Sequence, residues 1–381
     1  MCYIVRDNFI ERWILKNNGT MGLTGGEGMF TADIKYVKPL GRTYYVDKVR
    51  WLAFSGTGVE FEYTGKKIEI TLVGDNSVLV EDNYGNLARI GIFVNGERVL
   101  DTQMDQLEKT VTILISKQSK SAIVAVIKLS ECAMSTVGIK QIEVEKDGII
   151  FPTKEKQHKI EVIGDSITCG YGIDDENEQH HFTTMTEDVT KAYAYQTIQA
   201  LDADYSIVSI SGYGIISGYT DTGVKNEIGI LPRYYDKMGF SYGKFALQYE
   251  PQNIAWDFRQ FCPDVIVINL GTNDDSYCQE DMSRQQEYRM KYTEFLHVVR
   301  KNNPDAMILC TLGMMGDRLY QSLEQAVRDF VEQTQDTKIY CMPFEPQKEE
   351  DGYVADWHPT VKTNTKAAQR LTNQIKKIMH W

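Results

Sequence analysis

What most constrains the fold of this 381-residue chain is a change of rhythm near residue 151. Before it, apolar and polar residues alternate with a period of two. In "VEFEYTGKKIEITLVG", Val59, Phe61 and Tyr63 fall on one face and Glu60 and Glu62 on the other. The chain then turns at Thr64-Gly65 and alternates again through Ile68, Ile70 and Leu72. "IGIFVNGERVL" places Asn95-Gly96 between two such runs, the signature of a two-residue hairpin needing positive φ twice. "TVTILIS", "AIVAVIKLS" and "GIKQIEVE" supply more strands, and no long helical pattern interrupts them. Many short strands with close turns predict a β-sandwich of jelly-roll type over residues 37–152.

After residue 152 the apolar runs "KIEVIG", "YSIVSIS", "DVIVINLG" and "AMILCTLG" alternate with helical stretches. The last of these, "NTKAAQRLTNQIKKIM", carries Ala367, Leu371, Ile375 and Ile378 on one face. Strand–helix alternation predicts an α/β/α domain over 153–381, with a mostly parallel sheet covered on both faces. Residues 1–36 form an arm assigned to neither domain; "DNFIERWIL" within it is a helix candidate and a possible contact with a second copy. A formal charge of −12 makes nucleic acid and anionic membranes poor partners. No apolar run reaches the ~20 residues of a membrane span, and "MCYIVRDNFIERWILK" lacks the apolar core of a secretory leader. The expected location is cytoplasmic. Seven scattered cysteines without a C-x-x-C pair suggest buried thiols, neither a zinc ribbon nor a disulfide framework.

In such sheets chemistry gathers at the carboxyl ends of the strands. "GDS" follows the first strand, "SGYG" the second and "GTNDD" the third, while "ADWHPT" stands before the last helix. Ser166 reads either as a helix cap or as a nucleophile at a strand-to-helix turn. A serine nucleophile needs a base. Of six histidines, His180 and His181 lie in a solvent-facing acidic loop, and only His358 sits in a loop before a helix. Cys169 is a rival nucleophile to Ser166.

These blocks, in this order, resemble the SGNH (GDSL-type) hydrolase superfamily. The β-rich domain ahead of them, with "PLGR" early and "DWHP" late, resembles carbohydrate esterase family 2. The resemblance implies Ser166 as nucleophile, His358 as base, and the Ser166 N–H, Gly212 and Asn273 as oxyanion donors, with Gly214 as the other choice for the glycine. Asp356, two residues before His358, is expected to complete a triad because i and i+2 share a side in extended chain. Tyr219 and Trp357 are expected to stack on sugar rings. The implied reaction is removal of O-acetyl groups from hemicellulose-derived manno- or xylo-oligosaccharides through an acetyl-serine, without metal or organic cofactor. A general short-chain acyl esterase or thioesterase and a non-catalytic carbohydrate-binding protein are the rival readings.

Overall fold

The structure, a computed structural model, describes residues 28–83, 85–115 and 121–381. Two antiparallel sheets form the N-terminal sandwich. One runs in the order β3 (Thr43–Val46), β4 (Val49–Leu52), β11 (Val137–Val144), β6 (Lys67–Gly74), β9 (Glu108–Leu114). The other runs β12 (Ile149–Pro152), β5 (Gly58–Thr64), β10 (Ala122–Lys128), β7 (Arg89–Val94), β8 (Glu97–Gln103), with β2 (Lys38–Leu40) beside β5. Val59, Phe61, Tyr63, Ile68, Ile70 and Leu72 all enter the core between them. The turn at Thr64-Gly65 carries the chain from one sheet to the other, since its two flanking strands lie in different sheets. Asn95 and Gly96 join β7 to β8 with φ of 51° and 85°, as the two-residue hairpin requires.

The described end of the expected arm joins this sandwich. β1 (Gly28–Phe30) pairs with Ile142–Val144, and Ala32 is buried in the core. The stretch "DNFIERWIL", with any contact between copies made through it, lies outside the described residues. Among the described residues no helix is long and apolar enough to cross a membrane.

The second domain is built on a five-stranded parallel sheet, ordered β14 (Ala203–Ser209), β13 (His158–Gly164), β15 (Val265–Asn269), β16 (Met307–Leu312), β17 (Ile339–Pro343). Its strands are continuous apolar runs because both faces are covered. Ile266 and Ile268 pack with helices Met282–Asn302 and Tyr320–Thr334, while Val265 and Val267 pack with helices Tyr193–Ala200 and Val361–Met379.

Neither of these cores belongs to one domain alone. Trp51, Phe54 and Cys132 of the sandwich join the first, and Leu40, Ile127 and Leu129 the second. The seam also holds a buried ion pair. Arg42 of "PLGR", fully buried, donates to Glu161 on β13 at 3.1 Å. The same carboxylate accepts Ser206 Oγ at 2.9 Å and Tyr235 OH at 3.0 Å, so its charge is compensated and its lone pairs are used.

Candidate active site

The register of the parallel sheet decides what can meet. Gly164 at the end of β13 pairs with Ser209 on one side and Asn269 on the other, so "GDS", "SGYG" and "GTND" leave one sheet edge side by side. Asp165 stays extended and caps the short helix Ser166–Cys169, its carboxylate accepting the Ile167 N–H at 3.1 Å. The flanking glycines are forced by close approach. A Cβ on Gly164 would strike Thr168 Oγ1 at 2.0 Å, and Gly170, at φ 82°, would strike the Asp188 carbonyl at 2.4 Å. Ser166 opens the helix, and its Oγ lies 2.9 Å from His358 Nε2. The cap in this turn is Asp165, which frees the serine for the histidine.

His358 arrives on a tight hairpin whose strands are β18 (Tyr353–Val354) and β19 (His358–Pro359). Between them Asp356 and Trp357 are both left-handed, at φ 50° and 56°. This corrects the expected triad. The alternation that would have aimed the Asp356 carboxylate at the imidazole requires extended chain, and the chain here is coiled. The carboxylate instead accepts Tyr171 OH at 2.6 Å and pairs with His181 Nδ1 at 2.8 Å. Backbone carbonyls serve His358 Nδ1: Ala355 O at 3.1 Å and Asp356 O at 3.2 Å. They fix the tautomer with Nδ1 protonated and Nε2 free to accept from Ser166. Burial pushes the imidazole down to about 4, against the pull of those two carbonyls, so it is neutral and ready as a base near pH 7.

Tyr171 stacks on His358, ring centroids 3.9 Å apart and planes 18° from parallel. Gly172 lets this loop touch the histidine hairpin, since a Cβ there would lie 2.6 Å from that of Ala355. The two glycines after Cys169 thus have separate tasks.

Asn273 sits in the first turn of helix Thr272–Cys278, its Nδ2 donating to Tyr213 O at 2.9 Å and Asp165 Oδ2 at 3.3 Å. Next to it, Asp274 is buried and accepts the N–H groups of Ile215, Ile216 and Ser217 at 2.7–3.1 Å, tying down the loop after Gly212. Sequence reasoning assigned Asp274 no role, although it stands inside "GTND". Burial raises its carboxyl to about 6 despite those donors. Burial also raises Asp165 to about 7, with the charge of Asp274 adding to the shift.

Gly212 and Gly214 separate clearly. The Gly214 N–H is spent on the Gly229 carbonyl at 2.9 Å, and a Cβ there would strike Ser217 O at 2.2 Å. Gly212, at φ 78°, would meet nothing within 4 Å. The open face of the loop is at Gly212. Tyr219 donates its N–H to the Gly212 carbonyl at 2.8 Å and leaves its ring 61% exposed; Trp357 is 53% exposed beside the histidine. Tyr213 and Tyr235 are core residues. Cys169 is buried, with its thiol raised well above the ordinary value by burial, which removes it as a rival to Ser166.

Residues 162–366 match the GDSL-like Lipase/Acylhydrolase family, and residues 40–153 match the carbohydrate esterase 2 N-terminal domain. The chain is 28% identical over 333 residues to the cellulase/esterase CelE of Acetivibrio thermocellus, a match covering 86% of this chain but 38% of that protein. It is 25% identical over 371 residues to an acetylxylan esterase/glucomannan deacetylase of Cellvibrio japonicus, covering 96% and 95% of the two. Among solved structures, a family two carbohydrate esterase from Clostridium thermocellum in complex with cellohexaose superposes with a TM-score of 0.77 at 27% identity, over 91% of this chain and 99% of that one. An acetyl xylan esterase from Butyrivibrio proteoclasticus gives 0.83 at 23% identity, over 94% and 99%. With a nucleophile turn, a histidine hairpin and an N-terminal sandwich all in the matched regions, the chain belongs to the GDSL-like lipase/acylhydrolase family.

Proposed function

We propose that this protein is a serine esterase that removes O-acetyl groups from hemicellulose-derived manno- or xylo-oligosaccharides. The observation that carries the reading is the 2.9 Å contact between Ser166 Oγ and a buried, neutral His358. His358 Nε2 takes the Ser166 proton as Oγ attacks the acetyl carbonyl. The imidazolium is held by the carbonyls of Ala355 and Asp356, which gain in strength as charge develops. The negative oxygen is received by the N–H groups of Ser166 and Gly212 and by Asn273 Nδ2, whose longer contact, to Asp165 at 3.3 Å, is the one it exchanges. Collapse releases the sugar hydroxyl with the proton from His358 and leaves acetyl-Ser166. Water, deprotonated by the same imidazole, then attacks that ester, and acetate leaves with Ser166 restored. Tyr219, bonded to the Gly212 carbonyl, and Trp357, next to His358, offer exposed rings for a pyranose to lie against.

The Cellvibrio japonicus relative, named an acetylxylan esterase/glucomannan deacetylase, supports the acetyl group and the polysaccharide class. The test is mass spectrometry of acetylated manno- and xylo-oligosaccharides before and after incubation. Loss of acetyl masses from the oligosaccharides is expected, with acetyl esters cleaved far faster than octanoyl esters. Unchanged oligosaccharides beside rapid octanoyl cleavage would make the protein a general acyl esterase. A cytoplasmic location further predicts faster deacetylation of short oligosaccharides than of intact polymer.

A further inference from the structure

The sandwich reaches under the active site through one short segment. Leu129–Ala133 follows β10, and its backbone and side chains bond repeatedly to the hydrolase domain. Leu129 O accepts the Val189 N–H at 3.1 Å, Cys132 Sγ points at Ser209 O at 3.7 Å, and Ala133 O accepts the Tyr242 N–H at 2.9 Å. At its centre stands Glu131, 1% exposed. Glu131 Oε2 accepts the N–H of Ser211 at 2.7 Å, one residue before Gly212. The same oxygen faces the thiol of Cys169 at 3.9 Å, in the helix that Ser166 opens. The glutamate is itself held from below. Its N–H donates to Glu187 Oε2 at 2.6 Å, and its carbonyl accepts from the buried Nζ of Lys128.

We propose that Glu131 is a positioning residue of the active site, a carboxylate from the sandwich that holds the oxyanion loop and the nucleophile helix at fixed separation. Oxyanion stabilisation depends on donors standing where the charge will form, and a displacement of ~1 Å costs on the order of 10²-fold. Gly212, open on its Cβ side and left-handed, is held on its carbonyl side by the Tyr219 N–H, which leaves the side of its own N–H to the residue before it. Ser211 therefore needs an anchor, and the only side chain bonded to its N–H among the described residues comes from the other domain. Ligand atoms of Glu131, Cys169 and Glu187 lie within 4.8 Å of one another, a spacing that a metal ion could bridge. The fully buried Lys128 already fills that spot with a donor, its Nζ bonding the carbonyls of Ser130 and Glu131. The cluster reads as an anchor.

This inference rests on the Ser166 esterase reading, and its test uses a chromogenic acetyl ester so that the sugar does not enter. Turnover is counted per folded molecule, with the folded fraction read from tryptophan fluorescence. Glu131→Ala should lower kcat by about tenfold to a hundredfold and leave KM within about twofold, because the ester still binds and only the charged intermediate loses its donors. Glu131→Gln keeps an oxygen that can accept from Ser211 and should stay within about threefold of the parent. A kcat for Glu131→Ala within about twofold of the parent, or a Glu131→Gln as slow as Glu131→Ala, would overturn the proposal. If the parent cleaves the ester and Ser166→Ala does not, the esterase reading stands whichever way Glu131 falls.

Discussion

The nucleophile turn and the histidine hairpin meet across 2.9 Å, yet they are held by opposite means. The nucleophile turn is regular: an extended Asp165, a capped helix and a left-handed glycine to end it, each residue in a conformation it favours. The histidine hairpin is irregular, with two consecutive non-glycine residues in the left-handed region at about 1–2 kcal/mol each. Distant groups hold that strain in place. His180 O accepts the Asp356 N–H at 3.0 Å, Gln347 Nε2 donates to Trp357 O at 2.8 Å, and Tyr171 and His181 hold the Asp356 carboxylate. The coiled backbone is what serves the imidazole, since it turns two carbonyls toward Nδ1 where an extended chain would present a carboxylate.

The largest effect should be shared. Ser166→Ala and His358→Ala should each lose on the order of 10⁴-fold or more in kcat on an acetyl ester, because each removes half of one proton transfer. A His358→Ala variant within tenfold of the parent would mean that another base faces Ser166. Next comes the hairpin. Asp356→Val forces a β-branched residue into the left-handed region and should cost at least about tenfold in kcat, whereas Asp356→Asn, which tolerates that conformation, should stay within about threefold. Equal losses in the two variants would restore the carboxylate to the role expected from sequence. On the other side, Asp165→Ala removes a cap and should lower stability in urea by about 0.5–2 kcal/mol.

The smallest effect is the pH dependence that His358 itself contributes. With its imidazole lowered to about 4, His358 stays neutral at pH 5, where an ordinary imidazole is mostly protonated. With Asp165 and Asp274 raised to about 7 and 6 beside the oxyanion loop, any fall in kcat/KM between pH 7 and 5 is theirs, and the limb of His358 comes only as pH approaches 4. An acid limb near 6.5 that survives in both Asp165→Asn and Asp274→Asn would show that the base is not shielded. The sign for stability follows from the same shift: the contribution of His358 is full above about pH 6.5 and drains as pH falls toward 4, because the unfolded chain takes the proton first.

What could be read in the sequence divides along the same line. Strand periodicity showed the sandwich, and continuous apolar runs showed four of the five parallel strands. Ile339–Pro343 escaped because its exposed Tyr340 and Pro343 break the run at an edge of the sheet. The nucleophile turn was legible because its causes are local: cap, glycine and strand end lie within seven residues. The Asp356 geometry was not, since His180, Tyr171 and Gln347 impose it from elsewhere in the chain. Nor was Glu131 legible, because its meeting with Ser211 spans a sequence separation of 80. Gly28–Phe30 is too short to show a period at all.

The buried pair of Arg42 and Glu161 bears on anyone who would treat the catalytic half as a portable cassette. A gene cut at residue 153 keeps Glu161 in an interior strand of the sheet and discards its counterion. Leaving one such charge alone costs about 3–5 kcal/mol, a large share of a typical domain's stability. Transplanting the catalytic half therefore calls for one of two repairs. Either Arg42 travels with it on a grafted loop, or Glu161 is rewritten as an apolar residue of like volume, a swap that other buried pairs have tolerated without loss.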